Sequence, residues 1–194
     1  MVETIAPVVH GGRTTSYYSS VVLHTVGATL TAAGLGFLLG ASGAVFGAPW
    51  GTAGLLAVAI VAAFYALREL ARLPLPLPDL DRQVPDWWRT FFSPNVAAFL
   101  YGTGLGIGFL TYLSFGTLVP VAAAAFVSGD PLPGAALMAP FGAARGLSVL
   151  VAARRNTTPE EVVDVLGRPR PRALGRAVNG AALVAIGIVV LAAA

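Results

Sequence analysis

The sequence contains no cysteine and no lysine, and charged residues fill only 11% of its 194 positions. Without cysteine, thiol redox chemistry, disulfides and thiolate-bound metals are excluded. A soluble domain carries about 25% charged residues, so less than half the usual charge is present. Together with 56% hydrophobic residues and a mean hydropathy of +0.78, this scarcity identifies a membrane protein. All twelve basic residues are arginine, and nine acids leave a formal charge of +3. The arginines cluster at the edges of apolar segments, so the positive balance points to the lipid bilayer and not to nucleic acid. Histidine is limited to His10 and His24. The chain offers no nucleophile–base pair, phosphate-cradling loop or metal cluster. It is therefore expected not to be an enzyme and to carry no cofactor and no metal.

A membrane span needs about 20 mostly apolar residues. Five such segments are predicted, at about 19–45, 52–70, 95–127, 133–153 and 173–193. The expected fold is an all-α integral membrane protein with a tail at 1–18 and a single helical membrane domain over 19–194. Its longer connections fall at 71–94 and 154–172. With five spans, eleven of the twelve arginines fall on one side, and only Arg145 lies inside a span. The positive-inside bias places that side, with the N-terminus, in the cytoplasm and the C-terminus outside. Lysine-free, alanine-rich usage suggests a GC-rich bacterial source, hence the inner membrane. The first apolar segment is too long for a cleaved signal and lacks a basic leader, so it is expected to remain as a helix.

The connections have their own character. "RLPLPLPDLDRQVPDWWRTFFSP" alternates leucine with proline, which favours polyproline-II geometry. Trp87, Trp88, Phe91 and Phe92 beside Arg89 then form either an interface anchor or a docking strip for another protein. In "TTPEEVVDVLG", Thr158 caps, Pro159 fits the first turn, Glu161 completes a capping box and Gly167 stops the helix. A short cytoplasmic amphipathic helix is expected there.

The third segment is the most informative. Gly102/Gly106 and Gly104/Gly108 have the four-residue spacing that brings membrane helices close, as do Gly36/Gly40 in the first segment. At about 33 residues this segment is too long for one straight span. It continues through Thr111, Tyr112 and Ser114 to Pro120, and a break is expected in that run. Such a break either lines a binding cavity or merely kinks an inert helix. Arg145, inside the fourth segment, either snorkels and bonds carbonyls or meets an anionic ligand. His24 stands near Thr25 and Thr29, either bonded at a helix interface or available for chemistry. His24, Thr111, Tyr112, Ser114, Pro120 and Arg145 are thus the candidate functional residues.

The stretch "AFLYGTGLGIGFLTYLSFGTLVPVAAAAFVSGDPLPGAALMAPFGAARGLSVLVA" resembles the second half of the cytochrome c biogenesis transmembrane family, the CcdA/DsbD-like reductant conduits. "AFYALRELARLPLPLPDL" and "HTVGATLTAAGLGFLLG" resemble the elements that precede it. The resemblance implies a membrane scaffold with a broken helix. The family's cysteine and proline have no counterpart at Leu110, Thr111 and Tyr112, and its first helix is missing, so thiol relay is ruled out. A CcdA-like scaffold without that chemistry suggests a small-solute carrier or exporter. The alternative is a non-catalytic structural or assembly subunit, packed with other membrane protein subunits through its glycine faces.

Overall fold

The computed structural model describes residues 14–78, 87–109, 113, 115–153 and 169–194. Among them are seven helices: α1 (Thr14–Val45), α2 (Gly51–Ala71), the single turn α3 (Trp88–Phe91), α4 (Pro94–Gly106), α5 (Leu118–Val127), α6 (Pro131–Ala153) and α7 (Pro169–Ala192). The described residues contain no strand. The regular structure of the described residues is all helical, one of the two ways in which a backbone satisfies itself in lipid.

Among the described residues, three helices are long and apolar enough to cross a membrane: Tyr17–Val45, Gly51–Ala71 and Ala173–Ala192. This supports three of the five expected spans. The expected third span is two helices, α4 of 13 residues and α5 of 10. At 1.5 Å per residue, α4 reaches only about 20 Å. The two nevertheless follow α1 in one direction. Asn95 meets Ser20, Gly106 meets Ala28, and Phe126 meets Gly43, so α4 and α5 together cover the length that a single span would. The fourth expected segment forms α6, with Pro140 inside it.

Glycine decides where the core closes. A Cβ on Gly102 would fall on the His24 carbonyl, and one on Gly106 on the Ala28 carbonyl, so α4 lies parallel to α1 at backbone contact. On its other side α1 meets α6 antiparallel, through Gly36 against Gly134, Gly40 against Asp130, and Gly142 against Ala28. Small residues permit such approach, which lipid does not drive by hydrophobicity. Polar groups lace the same seam: Ser20 Oγ donates to Asn95 Oδ1 at 2.9 Å and Thr31 Oγ1 to the Thr103 carbonyl at 3.0 Å.

α7 runs antiparallel to α2, with Gly180 against Leu70 and Thr52 Oγ1 donating to the Ala194 carbonyl at 2.9 Å. Its outer side carries exposed Leu174, Val178, Ile188, Val189 and Leu191. The leucine–proline run leaves α2 and folds back beside it: Tyr65 Oη donates to the Pro76 carbonyl at 3.1 Å and Arg68 Nε to the Leu75 carbonyl at 2.8 Å. Leu77 packs on the Leu113, Leu118 and Met138 cluster. Trp88 packs on Tyr101 at 5.7 Å, while Trp87 and Phe91 stay exposed. The expected amphipathic helix near 158–167 and residues 1–13 of the expected tail (1–18) lie outside the described residues, and the rest of that tail, from Thr14, is already helix α1.

Candidate functional site

The polar chemistry of the molecule converges where α4 stops. α4 ends at Gly106, and Gly108 follows with φ +77°, a left-handed value that a side chain would strain. Gly108 therefore turns the chain and is not part of the packing face, whereas Gly102 and Gly106 press on α1. Gly104 is half-buried on the same helix. Pro120 sits in the first turn of α5, where its missing N–H is one of the helix's unpaired donors anyway. Pro120 thus follows the break instead of making it. Between the two helices, residues 107–109, 113 and 115–117 are non-helical, and this interruption is the break. Thr111, Tyr112 and Ser114 fall there but lie outside the described residues.

Two groups hold the far side of this break. Glu69, near the end of α2, is only 2% exposed; its Oε1 accepts from the Gly116 N–H at 3.1 Å and pairs with Arg68 Nη1 at 2.5 Å. Its Oε2 has no partner among the described residues. Thr117 Oγ1 donates to Asn179 Oδ1 of α7, and the Asn179 amide nitrogen is buried without a partner. Reading the sequence left both roles unnoticed. The available signal was that Glu69 is the one acid in the apolar segments and that Asn179 interrupts "RAVNGAALVAIG". Polar groups at such depth need a reason.

Between the break, α6 and α7 lies a partly open cavity of about 700 Å³. Leu105, Leu113, Phe115, Val121, Leu137 and Phe141 make most of its wall, and Thr117, Arg145, Ser148 and Asn179 supply its polar lining. Arg145 lies over the Phe141 ring at 5.7 Å, one turn earlier on α6. Its Nη1 reaches the Gly108 carbonyl at 3.5 Å, at the C-terminal end of α4 where the helix dipole favours a cation. Ser148 Oγ donates to the Arg145 carbonyl at 2.6 Å. The structure thus brings Arg145 to the break, whereas His24 bonds to α4. That histidine is fully buried in the α1–α4 seam, with Nδ1 3.1 Å from the Ala98 carbonyl and Nε2 unpartnered among the described residues. The described residues contain no cluster of His, Cys, Asp and Glu able to hold a metal.

Known proteins give this architecture its context. Over 189 residues the chain is 34% identical to methylamine utilization protein MauF of Paracoccus versutus, covering 96% of this chain and 68% of that protein. It is 35% identical over 130 residues to the MauF of Paracoccus denitrificans, covering 66% and 47% of the two chains. It is 33% identical over 141 residues to that of Methylophilus methylotrophus, covering 72% and 50%. The chain therefore spans about half to two thirds of the length of these curated relatives. No family model and no solved structure matches it. These relatives overturn the expected membership of the CcdA/DsbD-like cytochrome c biogenesis family. Glycine spacing and segment order carried that expectation, and close helix packing in lipid imposes both on unrelated chains.

Proposed function

The chain belongs to the family of methylamine utilization protein MauF, and from that premise we propose that it is a non-catalytic, membrane-embedded accessory subunit that helps assemble the machinery of methylamine utilization. The 34% identity over 189 residues carries this reading. The expectation of a solute carrier rested on the broken third segment and Arg145. The relatives' name lends it no support, and the assembly alternative accords with it better.

Two features of the molecule agree with an assembly role. The α1 seam is closed by backbone contact, which makes a rigid scaffold. The stack of α7 on α2 leaves a broad apolar face for lipid or for neighbouring membrane subunits. The arginine asymmetry favours the bacterial inner membrane, with the N-terminus in the cytoplasm and the C-terminus outside.

The test is deletion in the native host combined with affinity purification at native expression from mild detergent. Growth on methylamine is expected to stop while growth on an unrelated carbon source and uptake of labelled methylamine continue. One membrane partner is expected to co-purify at fixed ratio. Loss of methylamine uptake, or a protein that purifies alone from a strain whose growth is unaffected by deletion, would overturn the proposal.

A further inference from the structure

Between Arg72 and Asp79 the chain is only leucine and proline. α2 ends where Arg72 takes a left-handed φ of +58°, a conformation that closes a helix and turns the chain back. The run that follows is held by α2 side chains in reverse order. Arg68 Nε donates to the Leu75 carbonyl at 2.8 Å, and Tyr65 Oη donates to the Pro76 carbonyl at 3.1 Å. As the run advances, its partners step back along the helix. At 1.5 Å per residue, Tyr65 stands about 9 Å inside the Ala71 end of a helix long enough to cross a membrane. Helical side chains lean toward the N-terminus, here further from that end. A Cβ on Gly116 would fall on the Tyr65 ring, and Leu77 packs on the cluster that contains Leu113 and Leu118. The tip of the run is therefore level with the break and not with the end of α2.

Irregular backbone persists at membrane depth only where its polar groups are satisfied. The run meets that condition. Pro74, Pro76 and Pro78 have no N–H to pair. The Leu75 N–H donates to the Leu73 carbonyl at 2.9 Å, and the Leu75 and Pro76 carbonyls are those taken by Arg68 and Tyr65. A polyproline-type segment in water is solvated and needs no such partners. The side chains suit the same place, since Leu73 and Pro76 are exposed and both are apolar. From this we infer that residues 73–78 form a re-entrant membrane segment. It dips from the cytoplasmic edge of α2 back among the lipid acyl chains and lies against the break. Its partners are lipid hydrocarbon on one side and the break on the other, so this part of the 71–94 connection does not stand in the cytoplasm. The inference is independent of the assembly role, because it concerns how the chain sits in the bilayer.

The chain has no cysteine, so single introduced cysteines report without background. Leu73→Cys and Pro76→Cys stand at positions that are both exposed in the fold, so lipid is what shields one more than the other. In inside-out membrane vesicles, a charged, membrane-impermeant maleimide is expected to react at position 76 about an order of magnitude more slowly than at position 73. A nitroxide on the same cysteines, in lipid bilayers, gives the second readout. Oxygen concentrates in hydrocarbon and a nickel chelate in water, so the ratio of oxygen to chelate collisions is expected to be higher at 76 than at 73. Leu75→Cys keeps every proline and, read by the nitroxide, replaces Pro76→Cys if that variant loses the wild-type SDS midpoint. Maleimide reaction at 76 as fast as at 73, or a nitroxide at 76 or 75 that meets the chelate as often as one at 73, would overturn the inference.

Discussion

The α1 seam and the break between α4 and α5 are built from the same residue type to opposite ends. In the seam, Gly102, Gly106, Gly134 and Gly142 bring backbones together until no room for a methyl group is left. At the break, Gly108 turns the chain and the space beyond it stays open as a cavity. Glycine in lipid therefore has two uses. On a continuous helix face it removes space, and at a helix end it releases the backbone to create space. The difference lies in whether the next turn of helix follows.

Substitutions can break this contrast, and the largest effect belongs to the seam. Gly102→Leu or Gly142→Leu drives a side chain into the carbonyl of His24 or Ala28 and is expected to cost about 3 kcal/mol or more. An SDS titration from mild detergent should show the helices already separated under conditions where wild type is folded. If Gly142→Leu unfolds with a wild-type midpoint, the seam is not closed as described.

Next comes the link that holds the break. Glu69→Ala removes the acceptor for the Gly116 N–H and the partner of Arg68 in a buried setting, at about 3 kcal/mol. Its signature should be local: protease sensitivity near residues 107–117 should rise before the seam opens. Asn95→Leu removes the acceptor shared by Ser19 and Ser20 at the entry to α4, and should cost about 1 kcal/mol in the same titration.

The smallest effects sharpen the comparison. Ala144 lines the cavity only two residues from Gly142, so Ala144→Leu should shift the midpoint by less than about 1 kcal/mol. Gly34 faces open space on α1, and Gly34→Ala should stabilise the helix by about 0.5 kcal/mol. A severe loss from Ala144→Leu would mean that the cavity side is as tightly closed as the seam.

Parts of this were legible beforehand. Gly36, Gly40, Gly102 and Gly106 stand at spacing four, and each meets another helix in the structure. Gly104 and Gly108 have that same spacing, yet Gly108 lies past the helix end. Spacing reports a shared face only where the helix continues, and it cannot say where the helix stops. For the same reason Pro120 drew attention to a position one turn beyond the break. Asn179 and Glu69 were hidden because their partners, Thr117 and Gly116, come from segments 62 and 47 residues away in sequence. The resemblance to a reductant conduit failed similarly, since generic packing patterns carry no ancestry.

The sequence by itself determined the solvent, the helical class and the exclusion of thiol chemistry. Those follow from composition and from the need to satisfy every backbone group in lipid. Only the tertiary structure decided that the long third segment is two helices laid end to end along α1. It alone placed Arg145 at the break and paired Asn179 with Thr117. Such pairings depend on how helices rotate and approach one another, and that is settled by contacts between residues far apart in the chain.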